Sequence, residues 1–148
     1  MKKSSLSKRS PVLISKAKRD TLAMVKKYVR ESGPCVASGQ GRKSCGGYMQ
    51  ASHIKSEGAY KHLFIDPRNI YPMCMAHHLY WWHKEPTEAG NWFKEKYPIN
   101  WKYLEWAKQQ HIQYTVNELI GLQSALRQGW GEYCDAFMQL MASKGIEY

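Results

Sequence analysis

Cys74-Met75-Ala76-His77-His78-Leu79-Tyr80-Trp81-Trp82-His83 puts one thiol and three imidazoles into ten residues. Packing does not call for that density of metal-binding side chains. The run has upstream counterparts in Cys35, Cys45 and the segment Ser52-His53-Ile54. Together they predict a zinc-stapled fold carrying a second, catalytic metal site. Structural zinc takes four thiolate or imidazole ligands from two short segments that a fold can bring together. Cys35 and Cys45 form one pair, and Cys74 and His77, at C-x-x-H spacing, form the other. The competing reading is a pair of buried free cysteines. Cys134, far away in a C-terminal helical stretch, reads as a small buried apolar residue.

His78 and His83 remain once His77 is assigned. Five residues on an ideal helix leave them about 140° apart. A helix end or a local distortion near His83 is therefore needed for both to bind one ion; otherwise they pack beside Trp81 and Trp82. His53 follows small Ala51 and Ser52 at the end of an expected strand and precedes the polar loop Lys55-Ser56-Glu57-Gly58. An imidazole exposed there titrates near neutrality and suits removal of a proton from water.

The 148 residues fit one ordinary domain with an appended helical part. No apolar run is long enough to span a bilayer and no signal-peptide core follows the charged N-terminus, which predicts a cytoplasmic protein without a membrane partner. In that compartment clustered Cys and His read as metal ligands rather than disulfides. The net charge of +10 is concentrated at the front, with +8 in residues 1–34, +3 in 35–86 and −1 in 87–148. That distribution fits a polyanion, most simply nucleic acid; the plainer reading is a solubilising tail.

The expected class is α+β, in three parts. Residues 1–34 are a basic arm, broken by Pro11, and a helix from about Ser15 to Glu31 with Leu22, Val25 and Val29 on one face. Residues 35–97 are the core. Within it, Tyr48–Ile54 is a candidate strand, Leu63-Phe64-Ile65 the returning strand, and Asp66-Pro67-Arg68-Asn69 a turn. Thr87 is placed to cap a helix running to about Tyr97. Residues 98–148 are a helical extension, with Asn100 as one cap and Thr115-Val116-Asn117-Glu118 as a capping box ahead of the Leu119, Leu122, Leu126 stripe. Gly129-Trp130-Gly131 interrupts that stripe, and Phe137, Leu140 and Met141 continue it.

The succession Cys35, Cys45, Ala51-Ser52-His53-Ile54, Asp66-Pro67-Arg68-Asn69-Ile70, Cys74-Met75-Ala76-His77-His78 and His83 resembles the HNH (ββα-metal) endonucleases. It is most similar to the small phage and prophage recombination nucleases of the NinG type, over roughly residues 35–97. The resemblance implies His53 as general base. It implies Asn69 as the central Asn that braces the loop holding that base or helps bind the metal. His78 is implied as a catalytic metal ligand and His83 as an additional one. It also implies structural Zn2+ on Cys35, Cys45, Cys74 and His77, and Mg2+ or Mn2+ at the catalytic position. Many members carry Asp or His immediately before the base, where this chain has Ser52. Either His78 and His83 with Asn69 hold the ion, or Asp66 or Glu57 substitutes.

Phosphodiester hydrolysis needs a base, a Lewis acid and cationic contacts to the backbone. Arg42, Lys43, Lys55, Lys61 and Arg68 are the candidate DNA contacts, which position the protein without reading sequence. Trp81 and Trp82 either pack in the core or stack on unpaired bases. The expected function is a metal-dependent DNA endonuclease in phage recombination or DNA processing, acting on branched or single-stranded DNA. The alternatives are a non-catalytic zinc-containing DNA-binding or accessory module, and an RNA-directed protein. A homodimer formed through the C-terminal helices would suit cleavage of paired strands.

Overall fold

A computed structural model describes residues 6–148, with side chains from Pro11 onward. Lys2 and Lys3 of the expected basic arm lie outside the described residues. The class is α+β: six α-helices and a two-stranded antiparallel sheet among the described residues. Helix α1 spans Leu6–Glu31 and runs through Pro11, where a break was expected. One proline removes one i→i−4 bond, and here that loss does not end the helix.

The chain packs as two compact units. One combines α1 as far as Val25 with Ile112–Glu147, the other Lys26–His111 with Tyr148. In the first, α5 (Val116–Gln128) buries Leu119, Leu122 and Leu126, and α6 (Trp130–Ser143) buries Tyr133, Phe137 and Met141. These are i, i+3, i+7 and i, i+4, i+8 stripes, the signature of helices with one buried face. Ala17, Thr21 and Val25 form the corresponding stripe of α1. Thr21 Oγ1 donates to the Ala17 carbonyl at 2.7 Å and accepts from Gln123 Nε2 at 2.9 Å, so this buried hydroxyl is satisfied. The capping box at the start of α5 is present: Glu118 N–H donates to Thr115 Oγ1, and Thr115 N–H to the Glu118 carboxylate.

The second unit carries the sheet. Strand β1 is Met49–His53 and β2 is Ile70–Cys74, in register with Met49 opposite Cys74 and His53 opposite Ile70. The expected returning strand Leu63–Ile65 is instead the end of a 3-10 turn, Lys61–Leu63, and the residues after it. All three of its apolar side chains are buried, so the apolar run marked burial rather than strand pairing. The Val36 N–H donates to the Pro72 carbonyl at 3.0 Å, which ties the segment bearing Cys35 to β2. Helix α2 is the single turn Met75–His77 and passes directly into a π-helical turn, His78–Trp82. Helices α3 (Pro86–Lys96) and α4 (Pro98–Ala107) start on prolines at the first helical position, not on caps from Thr87 or Asn100. Asn100 Nδ2 donates instead to the Tyr71 hydroxyl. Trp81, Phe93, Tyr103 and Leu104 form the centre of this unit's core with Leu63, Met73 and Ala107.

Candidate functional site

The loop after Cys35 and the turn after β2 bring four metal-ligand side chains together. Ligand atoms of Cys35, Cys45, Cys74 and His77 all lie within 4.8 Å of one another. From His77 Nδ1 the three sulfurs stand at 3.7 Å (Cys35), 3.6 Å (Cys45) and 3.2 Å (Cys74). Tetrahedral zinc, with bonds of about 2.3 Å to sulfur and 2.05 Å to nitrogen, separates such pairs by about 3.6 Å. The cluster could therefore hold zinc, with the ligands named from the sequence.

The surroundings of the ligands fit the same ion. His77 Nε2 is 3.1 Å from the Gln40 carbonyl. A carbonyl only accepts, so Nε2 carries the proton and Nδ1 presents its lone pair to the sulfurs, a supporting bond typical of metal-bound histidine. Cys74 caps α2, its sulfur accepting the His77 N–H at 3.5 Å. Burial opposes ionisation of Cys74, but N–H groups of His77 and Gly46 and contacts with His77 and Cys35 outweigh it, bringing the thiol down to about 6. Burial pushes the Cys35 thiol up to about 11. A cation is what would let both be thiolates at once. Gly41 explains the close loop. Its φ is 62°, and a Cβ there would lie 2.2 Å from the Trp81 ring.

His53 closes β1. Its Nε2 donates to the Phe64 carbonyl at 2.8 Å, which leaves Nδ1 as the basic nitrogen. Glu57 Oε1 lies 3.2 Å from Nδ1 and is itself paired to Lys26 Nζ at 3.0 Å. Burial lowers the His53 pKa below its usual value; the Phe64 carbonyl and Glu57 pull the other way, and Lys26 adds to the lowering.

Asn69 holds the loop that supplies Phe64. It is wholly buried. Its Nδ2 donates to the carbonyls of Lys55 and Leu63, both at 3.0 Å, and its Oδ1 accepts the Lys55 N–H at 2.7 Å. Its own carbonyl accepts the Ile54 N–H at 2.8 Å. Every polar atom of the amide is thus engaged by backbone. Of the two expected roles, these bonds are the ones a brace would make.

His78 and His83 meet. The π turn closes its bond five residues on, His83 N–H to His78 carbonyl at 3.2 Å, and so brings edge to face the two rings that an α-helix would splay. Their Nε2 atoms are 3.0 Å apart. Two nitrogens on adjacent positions of an octahedral ion with bonds of about 2.1 Å are also about 3.0 Å apart. Gln50 Oε1, on β1, accepts from His78 Nδ1 at 2.6 Å, leaving Nε2 as the lone-pair nitrogen. Burial, then the charges of His83, His53 and Lys26, hold the His78 pKa down to about 4. Among the described residues the Cys35, Cys45, Cys74 and His77 group is the one set of three or more Cys, His or carboxylate side chains that converges this way; His78 and His83 converge as a pair.

His53, Glu57, His78 and His83 line one open cleft of about 430 Å³, with Lys26, Ala51 and Trp82. Ser52 is not part of that lining. As the neighbour of Ala51 and His53 on a strand it points to the opposite, buried face, where its Oγ has no hydrogen-bond partner. Asp66 is also elsewhere. It is buried, accepting from the Arg68 N–H at 2.9 Å and from the Tyr103 hydroxyl. Burial raises the pKa of Asp66, against Arg68 and Tyr103, which lower it. Glu57 is the carboxylate that reaches the cleft.

The candidate DNA contacts separate into two groups. Arg42, Lys43 and Lys61 are exposed. Lys55 is paired with Glu105, its ammonium 4.1 Å from the Trp101 ring centre, and only 11% of its side chain is exposed. Arg68 lies over the Tyr103 ring beside Asp66. Both are committed within the unit. Trp81 is buried, so its use is packing. The reading of the sequence passed over Gln50 and the Phe64 carbonyl. A glutamine three residues upstream of a His on a strand carries no signal of its own, and a backbone carbonyl carries none at all.

In comparisons with protein-family models, curated proteins and solved structures, nothing matches this chain. No helix among the described residues is long and apolar enough to cross a membrane.

Proposed function

We propose that this chain is a metal-dependent DNA endonuclease of the HNH type. The observation that carries the reading is one cleft lined both by His53, whose Nε2 is held by a carbonyl, and by the His78/His83 pair. Zinc on Cys35, Cys45, Cys74 and His77 would fix the loop and α2, and so the position of His78, without taking part in the chemistry.

In the proposed reaction His53 Nδ1 takes a proton from a water molecule in line with the scissile phosphorus. The Phe64 carbonyl stabilises the imidazolium that forms, and Asn69 keeps that carbonyl in place. Glu57 lies close enough to share the proton or to turn toward a cation in the cleft. His78 and His83 would hold a divalent ion, which would supply positive charge to the phosphate and the leaving oxygen. Two imidazoles suit a first-row transition ion better than Mg2+, which prefers oxygen ligands. Arg42, Lys43 and Lys61, with the N-terminal basic residues, make salt-sensitive phosphate contacts. By the resemblance, the setting is phage recombination or DNA processing.

A non-catalytic zinc-containing DNA-binding module is the second reading, favoured by the absence of a third Cys, His or carboxylate converging on His78 and His83 among the described residues. The test is nicking of linear, forked and four-way DNA with Mn2+, Mg2+ and EDTA, with His53→Ala as control. Ion-dependent cleavage lost in His53→Ala supports the enzyme. Binding of the same DNAs without cleavage by any divalent ion supports the module.

A further inference from the structure

Beside the histidine cleft lies a second groove, of about 570 Å³, lined by Lys26, Arg30, Tyr48, Gln50, His78 and Leu79 among others. The two share Lys26, Ala51 and His78 and so adjoin. Its chemistry differs from that of the cleft: two cations on α1 along one side, and an aromatic ring and an aliphatic side chain on the others. Tyr48 is 69% exposed, yet its backbone is fixed. Its carbonyl accepts the Met75 N–H at 3.0 Å, and the preceding Gly47, at φ 75°, leaves room only for hydrogen, since a Cβ would stand 2.7 Å from the Met75 side chain. A large ring held out to solvent on an immobile backbone is a stacking platform rather than a packing residue. Sequence reading had offered Trp81 and Trp82 for stacking, but Trp81 is buried.

We infer that this groove binds a single-stranded DNA segment, with an unpaired base stacked on Tyr48 and neighbouring phosphates on Lys26 and Arg30. The inference rests on the cleft being a DNA-cleaving site and names its substrate class. The strand is single because a paired base has no free face to offer a side chain, whereas stacking of an unpaired base tolerates any sequence. Arg30 supplies the polyanion complement, and Lys26 adds to it by turning from Glu57, its partner at 3.0 Å, in a chain of net charge +10. Tyr48 and His53 are five residues apart along an extended segment, on the order of 16 Å at about 3.3 Å per residue. The stacked base therefore lies outside the scissile step and acts on substrate choice, not on chemistry.

The test uses the full chain carrying His53→Ala, so that binding is read without cleavage, with fluorescently labelled oligo(dT) and a blunt duplex of equal length. Adding Tyr48→Ala should weaken oligo(dT) binding about 10-fold, the scale of one lost base–aromatic stack, and change duplex binding less than about 2-fold. Tyr48→Phe should restore the single-strand affinity. Tyr48→Ala should leave the salt slope of binding unchanged, while Arg30→Ala should reduce it by about 0.7. Equal loss on both DNAs, no loss on oligo(dT), failure of Tyr48→Phe to restore binding, or tighter binding to RNA of the same sequence would each overturn the inference. A wild-type chain that cleaves nothing would sink the nuclease reading and leave this binding result standing. A wild-type chain that cleaves, with Tyr48→Ala binding oligo(dT) normally, would sink this inference alone.

Discussion

Replacing Asn69 separates a brace from a metal ligand. Asn69→Ala removes two donors and one acceptor from a wholly buried position, leaving the Leu63 and Lys55 carbonyls and the Lys55 N–H without those partners. A buried polar group left unpaired costs about 1–3 kcal/mol. Water can reach the part-buried Lys55 groups, but the Leu63 carbonyl is in the core. The expected total is about 3–5 kcal/mol, at the upper end of single-substitution effects. Asn69→Asp is the sharper probe. It keeps the oxygen that accepts from Lys55 N–H but turns a second oxygen on two carbonyls. At neutral pH that carboxylate should destabilise at least as much as Ala. Its folded pKa is raised by burial and by the facing carbonyls, so the protonated form is favoured on folding and stability should partly return as pH falls. The assay is urea unfolding of the zinc-loaded chain at pH 7.5 and pH 5, with zinc content measured alongside. Because Asn69 touches none of Cys35, Cys45, Cys74 or His77, zinc should stay at wild-type stoichiometry in the folded variant. A loss under about 1 kcal/mol for Ala, or an Asp variant as stable as wild type at pH 7.5, would refute the bracing role.

Three further outcomes are expected. Elemental analysis should give about one zinc per chain, and chelation or Cys45→Ser should unfold the unit holding the cluster, seen as loss of near-ultraviolet dichroism from its buried tryptophan; a metal-free chain with wild-type melting would contradict this. Gly41→Ala combines a positive φ with overlap on the Trp81 ring and should cost about 2–4 kcal/mol by denaturant titration, whereas Gly58→Ala, which meets nothing within 4 Å, should change stability by less than about 0.5 kcal/mol. The pKa of His53 is lowered in the folded chain, so the unfolded chain binds more protons and stability falls as pH drops below about 6.5. Nicking should show the same sign, rising with pH to a plateau by about pH 7; a rate still climbing above pH 8 would point to a different base.

The cluster of Cys35, Cys45, Cys74 and His77 was legible because thiols and imidazoles at C-x-x-H spacing have few uses other than metal binding, and no tertiary information was needed to group them. The capping box at Thr115 and the leucine stripe of α5 were equally local, written in adjacent residues. Less legible was anything decided by tertiary packing. Leu63-Phe64-Ile65 has the composition of a strand, but its backbone is taken up by a tight turn that offers the Phe64 carbonyl to His53 and the Leu63 carbonyl to Asn69. The 140° between His78 and His83 was a correct objection to an α-helix, and the π turn answers it. No rule of spacing forecasts that turn, whose partner Gln50 comes from a strand about thirty residues earlier. Ser52 looked like a missing ligand because the resemblance puts an Asp or His at that position; its side chain is buried and is not part of the cleft lining. Lys55 and Arg68 carried charge that the sequence assigned to DNA and that the fold pairs with Glu105 and Asp66.

The central claim is that His53 is the base of a metal-dependent nuclease, and single-turnover nicking of single-stranded and forked DNA with Mn2+ tests it most directly. EDTA should abolish cleavage and His53→Ala should reduce it by about 100-fold or more, with DNA affinity unchanged within about 2-fold. Cleavage at the wild-type rate by His53→Ala, or no cleavage by the zinc-loaded wild-type chain with any divalent ion, would contradict it.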